Sequence, residues 1–262
     1  PYSTQEDLTN EDGDAPCEKC KALRGRVLTY DEEGREYAGY CECGYLKRKE
    51  DRDRLKFARI PEIYKGKRLS DVKNMYSADG GKHIKGILDL LNMWLETIDE
   101  QLEEGQGFYF WSDKKGSGKT MMMCCLANEL CDRGHSVKFA TSPDILNEIK
   151  ASWNREEQIS ESELLRQFST TAILIIDDFG TEQAKDWVSE RFYQIIDNRY
   201  RNQKLTLFTS NYEPNNLPYG DRISNRIIER SLIIHFPEES VRTKLSAARN
   251  SEMKKKFPEA FK

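Results

Sequence analysis

Residues 113–120 read Asp-Lys-Lys-Gly-Ser-Gly-Lys-Thr, directly after the apolar run Phe108–Trp111 and directly before a helical pattern that opens at Lys119. No other segment restricts the fold as tightly. A glycine-rich turn of this kind cradles phosphate only when a buried strand holds one end and a helix N-terminus the other. Gly116 and Gly118 let backbone amides face inward, with Ser117 between them. Lys119 reaches the terminal phosphates, and the Thr120 hydroxyl can ligate Mg²⁺. These five residues are the expected nucleotide-binding set. Asp113 stands where the first glycine of such loops belongs; at a strand end, it is expected to weaken binding without abolishing it.

From Gly107 onward, short β-rich apolar runs alternate with helical patterns. The runs are Phe108–Trp111, Val137–Ala140, Ala172–Ile176, Leu205–Phe208 and Leu232–Phe236. Between them lie helices over Lys119–Arg133, Pro143–Trp153, Gln183–Arg201 and Arg222–Arg230. Five strands alternating with helices predict a three-layer α/β domain with a mainly parallel sheet. Ser142 is expected to cap the second of these helices, with Pro143 in its first turn, and Gly134 to end the first in a left-handed conformation. Upstream, Ile84–Leu102 carries apolar residues at helical spacing.

The third strand ends in Asp177-Asp178, which supplies what the phosphate loop lacks. A buried strand delivering two carboxylates places Asp177 behind Mg²⁺ and Asp178 beside the attacking water. Asp178 is one methylene shorter than a glutamate, so slow hydrolysis is expected. The next strand ends Thr209-Ser210-Asn211, which puts Asn211 beside the γ-phosphate as a sensor. In the segment 222–230, arginine recurs at Arg222, Arg226 and Arg230 on one helical face. Such a face can insert an arginine into a neighbouring subunit's ATP site; a solvated stripe paired with Glu229 is the plainer reading.

Four of the seven cysteines lie near the start. Cys17, Cys20, Cys41 and Cys43 are separated by enough chain, with Gly25, Gly34 and Gly39, for a hairpin that returns one pair to the other, as a tetrahedral zinc site needs. Two disulfides, free thiols or an iron–sulfur cluster are the other readings. Cys124, Cys125 and Cys131 sit in an apolar helical run and read as buried thiols.

Charge sets limits on the partners. Forty-one Lys and Arg against 45 Asp and Glu leave a net −4, which excludes a surface that grips nucleic acid all over. The division is local: residues 1–16 hold acids and no Lys or Arg and read as a disordered tail, while Lys47–Lys56 is a predominantly basic helix ended by Ile60-Pro61. The expected organisation is an acidic tail (1–16), a zinc-binding module with its basic helix (17–60), a linker (61–82) and an ATPase domain (83–262). No run is long and apolar enough for a membrane span, and the acidic start is unlike a signal peptide, so a soluble cytoplasmic protein is expected; Pro1 fits removal of an initiator Met.

With these residues in hand, the chain resembles AAA+ ATPases of the bacterial replicative helicase-loader type, the DnaC and DnaI group with its phage relatives, and their cousins, the transposition helper ATPases of the IstB type. The resemblance rests on the cysteine module, the basic helix and Ile60-Pro61-x-x-Tyr64. It continues through the phosphate loop, Asp177-Asp178-Phe-Gly-Thr-Glu, Thr209-Ser210-Asn211 and the Arg222/Arg226 helix, in order. It implies an ATPase that uses ATP and Mg²⁺ and self-assembles with Arg226 as arginine finger. It also implies an N-terminal zinc module that docks on the hexameric replicative helicase, and handling of single-stranded DNA. Lys150 with Trp153, and Lys185 with Trp187, each pair a cation with a stacking surface and are the expected DNA contacts, packing tryptophans being the alternative. The short stretch after the last strand leaves no room for a full helical lid and makes Arg242 only a weak second sensor. Besides the loader, a transposition helper on duplex DNA and a zinc adaptor that binds nucleotide without hydrolysis remain open.

Overall fold

A computed structural model describes residues 15–72, 75–153 and 159–261. Residues 1–14, most of the expected acidic tail, lie outside the described residues. The chain divides into two compact units, Pro1–Lys56 and Phe57–Lys262.

In the first unit, β1 (Arg26–Tyr30) and β2 (Glu36–Tyr40) form an antiparallel hairpin with Val27 opposite Gly39, and α1 (Tyr45–Ala58) follows. Cys17 and Cys20 sit on the turn that enters β1, Cys41 and Cys43 on the turn that leaves β2. The Cys20 amide donates to the Cys17 carbonyl (3.0 Å) and the Gly44 amide to the Cys41 carbonyl (3.0 Å), so each pair is bent over a tight turn.

The second unit begins with short 3₁₀ turns at Glu62–Tyr64 and Leu69–Asp71. Helix α2 (Ala78–Glu96) follows, capped by the Ser77 hydroxyl, then α3 (Ile98–Glu104). The helix expected from Ile84 therefore starts earlier and breaks at Thr97, whose hydroxyl donates back to the Trp94 carbonyl (3.3 Å), a local bond that competes with helix continuation. Next come β3 (Gly107–Trp111), α4 (Lys119–Asp132), β4 (Val137–Thr141), α5 (Ser142–Ala151), α6 (Glu161–Thr170) and β5 (Ile173–Phe179). Finally α7 (Asp186–Arg201), β6 (Leu205–Ser210), α8 (Asp221–Arg230), β7 (Ser231–His235) and α9 (Val241–Lys256) complete it.

The five strands form one parallel sheet in the order β4-β5-β6-β3-β7. Both faces are covered, so β3 and β5 read as continuous apolar runs rather than alternating ones: Phe108, Tyr109, Phe110 and Ile173–Ile176 are fully buried. Strand order reverses beside β3, and the phosphate loop leaves β3 at that carboxyl edge, where open parallel sheets bind ligands.

Two sequence expectations are corrected. Thr141, not Ser142, caps α5, its hydroxyl accepting from the Asp144 amide (3.1 Å). Ser142 is buried and donates to the Asp178 carbonyl (2.9 Å). Helix α6 was not expected: Ser160 caps it and it buries Leu164 and Phe168, a short apolar stripe within a polar segment. Gly134 ends α4 at φ +91°, as expected. Arg199, 1% exposed, ties these layers together by donating to the carbonyls of Phe168 (2.8 Å), Thr171 (2.8 Å) and Leu205 (2.6 Å). Among the described residues no helix is long and apolar enough to cross a membrane.

Candidate active site

The phosphate loop lies between β3 and α4. Gly116 (φ +78°) and Gly118 (φ +98°) hold backbone conformations that side chains rarely adopt, and a Cβ on Gly118 would stand 2.6 Å from the Tyr76 hydroxyl. Lys119 is buried, and its ammonium donates to the Ser112 carbonyl (3.2 Å), the Ser117 hydroxyl (3.3 Å) and Asn211 Oδ1 (3.2 Å). Burial lowers its pKa, opposed by the acids around it, with Asp178 foremost. The expected sensor Asn211 is thus joined directly to the expected phosphate-binding lysine.

Asp177 and Asp178 are neighbours in sequence with opposite surroundings. Asp177 is 3% exposed and accepts from Thr120 (2.9 Å) and Thr209 (2.5 Å). Burial raises its pKa to about 6. One extra residue between Ile176 and Phe179 relative to β6 makes a bulge there, and Asp178 sits at φ +53°. The bulge turns the Asp178 side chain out of the sheet and into the cleft. Thr209 also accepts from the Asp178 amide (3.0 Å), so one hydroxyl fixes both acids. Sequence reasoning read Thr209 only as part of the strand end before Asn211.

The cleft has a volume of about 390 Å³. Its lining joins the polar groups of Gly116–Thr120, Asp178 and Asn211 to the side chains of Tyr64, Met121, Val241 and Leu245, with Arg242. That mixture suits a ligand with a phosphate chain and an apolar ring. The hard oxygen donors Thr120 and Asp177 stand 2.9 Å apart and would suit Mg²⁺. Tyr64 reaches the cleft because the buried amide of Asn128 on α4 donates to the carbonyls of Tyr64 (2.8 Å) and Lys67 (3.0 Å).

Two segments distant in sequence brace the loop. Tyr76 donates to the Ser117 carbonyl (2.5 Å), and the amides of Val241 and Arg242, at the start of α9, donate to the Gly116 carbonyl (2.9 and 3.3 Å). Glu239 accepts from the Ser77 amide (2.9 Å), which joins the two braces. Asp113 is exposed, its amide held by Glu238 (3.2 Å).

Arg226 lies elsewhere. Its guanidinium donates to Asp197 (2.8 Å) and the Tyr193 hydroxyl (3.1 Å), between α8 and α7, and it is not among the residues lining the nucleotide cleft. Arg222, one turn away, is exposed, and Arg230 donates to the Glu104 carbonyl (3.0 Å).

Lys150, Trp153, Lys185 and Trp187 come together in one cleft of about 340 Å³. The tryptophan rings meet edge to face at 5.4 Å, and the Lys150 ammonium stands 5.3 Å from the centre of the Trp187 ring. Trp153 is 51% exposed, which leaves an open aromatic surface flanked by cations. Glu182 lines this cleft and binds the hydroxyls of Ser142 and Tyr219. The Ser142 hydroxyl lies between two acceptors, the Asp178 carbonyl and the Glu182 carboxylate, and has one proton to give to either, so this one residue touches groups at both clefts.

The sulfurs of Cys17, Cys20, Cys41 and Cys43 all lie within 4.8 Å of one another, with contacts of 3.7, 3.6 and 3.6 Å. Four sulfurs about 2.3 Å from a zinc stand about 3.8 Å apart, so the set fits a tetrahedral ion. Amides of Tyr45 and Cys17 hold the Cys43 thiol well below its ordinary pKa, which favours the thiolate a metal binds. Cys124, Cys125 and Cys131 are buried in α4, as expected.

Comparison with known proteins agrees with this geometry. Residues 112–248 match the family of IstB-like ATP binding proteins. The replicative helicase loader DnaI of Bacillus subtilis is 32% identical over 141 residues, 53% of this chain and 42% of that one. The replicative helicase loader DnaC of Escherichia coli K12 is 29% identical over 150 residues, 56% of this chain and 61% of that one. The match therefore spans less than two thirds of either relative. A crystal structure of the DnaC helicase loader superposes with a TM-score of 0.56 at 21% identity, covering 68% of this chain and all of that one. The α/β fold with its five-stranded parallel sheet is that of AAA+ proteins.

Proposed function

The chain belongs to the family of IstB-like ATP binding proteins, and from that premise we propose that it is an ATP-dependent loader that binds the hexameric replicative helicase and helps place it on single-stranded DNA. The observation that carries the reading is Ser142, whose one hydroxyl proton lies between the Asp178 carbonyl at the nucleotide cleft and the Glu182 carboxylate at the tryptophan cleft. A loader must link ATP state to its grip on DNA, and a shared residue between the sites supplies that link. The relatives named as replicative helicase loaders support the partner.

In the ATPase step, Lys119 exchanges Asn211 and the Ser117 hydroxyl for phosphate oxygens. Thr120 and Asp177 would hold Mg²⁺, which when bound would supply neutralisation of phosphate charge. Asp178 orients the attacking water and takes its proton, and Asn211 reports whether the γ-phosphate is present. Arg226, preset by Asp197 and Tyr193, completes the site of a neighbouring copy in an assembled oligomer. Cys17, Cys20, Cys41 and Cys43 would hold zinc, and their module forms, with its basic helix, the helicase-docking part (17–60), ahead of a linker (61–82) and the ATPase domain (83–262). The protein acts in the cytoplasm.

Co-purification with the hexameric replicative helicase tests the reading. Metal-loaded, nucleotide-binding protein that captures no helicase with either ATP or ADP refutes it. The family match also favours a second reading, a transposition helper that forms ATP-dependent filaments on duplex DNA; such filaments without helicase binding select it. Arg226→Ala is expected to bind ATP normally and lose assembly-stimulated hydrolysis. Full stimulation in that variant moves the finger to Arg222 or Arg230.

A further inference from the structure

Helix α9 buries none of its residues. It carries Arg242, Lys244, Arg249, Lys254, Lys255 and Lys256 against the single acid Glu252, and exposes Met253 (40%), with Phe257 (55%) one turn further on. A helix that buries nothing within its own domain lacks the packing that stabilises most protein helices. Its composition calls for a partner that is acidic and partly apolar.

The same chain presents such a surface. From Leu88 to Glu104 there is no Lys or Arg, and Asp89, Glu96, Asp99, Glu100, Glu103 and Glu104 are all exposed. Among them, Leu90 (37%) and Met93 (66%) stand outward on α2. Charge and exposed apolar area thus match between α9 and the α2–α3 face.

The two surfaces are tied to the two elements that the proposed ATP-site contact brings together, the nucleotide cleft and the arginine helix. Helix α9 springs from the nucleotide cleft, its first amides bonded to the Gly116 carbonyl. Helix α3 is tied to α8, the arginine helix, by the Arg230 bond to the Glu104 carbonyl. An approach that presents α8 of one copy to the nucleotide cleft of the next therefore carries the first copy's α3 toward the second copy's α9.

We infer that α9 of one copy docks on the acidic α2–α3 face of the next copy, a head-to-tail contact that propagates into a ring or spiral. The inference rests on the proposed self-assembly and names its surface.

Charge reversal in the full chain tests it by sedimentation velocity with ATP and Mg²⁺. One variant carries Arg249→Glu, Lys254→Glu and Lys255→Glu; the other carries Glu100→Lys, Glu103→Lys and Glu104→Lys. Each alone is expected to need roughly tenfold or more protein to assemble, while an equimolar mixture restores wild-type assembly, since each reversed surface then meets its complement. Nucleotide affinity, unchanged in both, shows that they are folded. Assembly of either variant alone at wild-type concentration overturns the inference and leaves self-assembly standing. So does failure of the mixture. A wild-type chain that stays monomeric with ATP overturns both. Normal assembly of the α9 variant with loss of single-stranded DNA binding assigns the helix to nucleic acid instead, and also overturns the inference.

Discussion

Replacing Asp177 with asparagine should destroy the catalytic site while stabilising the metal-free protein. The Asp177 carboxyl is 3% exposed, and its pKa stands at about 6 where an ordinary Asp has 3.8. Burial is the main cause, and the Thr209 and Thr120 hydroxyls offset it only in part. The folded state therefore binds more protons than the unfolded state between these two values. Stability from this group is fully present below the unfolded pKa and is lost as pH rises through the folded one. At 1.36 kcal/mol per unit, the loss is about 3 kcal/mol. An asparagine side chain carries no charge to desolvate, and its carbonyl oxygen can still accept from Thr120 and Thr209. Asp177→Asn is thus expected to exceed wild type by about 2–3 kcal/mol near pH 8 in chelator, with the advantage vanishing near pH 4. Urea titrations followed by tryptophan fluorescence measure this cleanly, because all four tryptophans lie in the Phe57–Lys262 unit. A difference that does not change with pH, or a destabilised variant at high pH, refutes the argument. With Mg²⁺ and ATP the advantage should shrink, since the wild-type carboxylate then has a cation to face.

Asp178→Ala is expected to keep ATP affinity and lower hydrolysis by about 10²–10⁴-fold, the usual worth of a positioned base; single-turnover kinetics check it, and unchanged turnover assigns the water to another group. Trp187→Ala should weaken single-stranded DNA binding by about 1–3 kcal/mol per stacked base, read by fluorescence anisotropy, with ATP affinity unaffected. For the cysteine module, metal analysis of reduced protein should give about one zinc per chain, and Cys43→Ser should lower that occupancy and loosen the β1–β2 hairpin in hydrogen exchange. Zinc content unchanged in the variant removes Cys43 from the ligand set.

The candidate phosphate loop and its acid pair were legible because their chemistry is contiguous. Gly116 to Thr120 is one turn between one strand and one helix, and Asp177-Asp178 is one strand end, so local spacing already dictates where the groups point. The strands were legible for the same reason: apolar runs in a sheet covered on both faces carry a signal that short windows capture. The tight pairing of Cys17 and Cys20 with Cys41 and Cys43 also follows from turns that glycine permits.

Other features depend on contacts between segments far apart, which no local pattern encodes. The bulge at Asp178 exists because β5 is matched against β6, and Thr209 from β6 fixes both acids only once the strands are paired. Sequence suggested that Trp153 and Trp187 each meet DNA, but only the tertiary structure places the turn after α5 against the first turn of α7, with the rings 5.4 Å apart. Arg226 looked free on a polar helix face; the neighbouring α7 engages it through Asp197. Thr141 takes the cap because Ser142 is drawn inward to the Asp178 carbonyl. Arg199, a cation held by carbonyls, is tolerated in the interior only because the end of α6 and the start of β6 converge on it. Sequence alone thus determined where the candidate phosphate loop and acid pair lie and which strands carry them, since covalent neighbours control short-range geometry. Tertiary structure decided which distant side chains orient those groups, because burial and long-range hydrogen bonds arise only when the layers close.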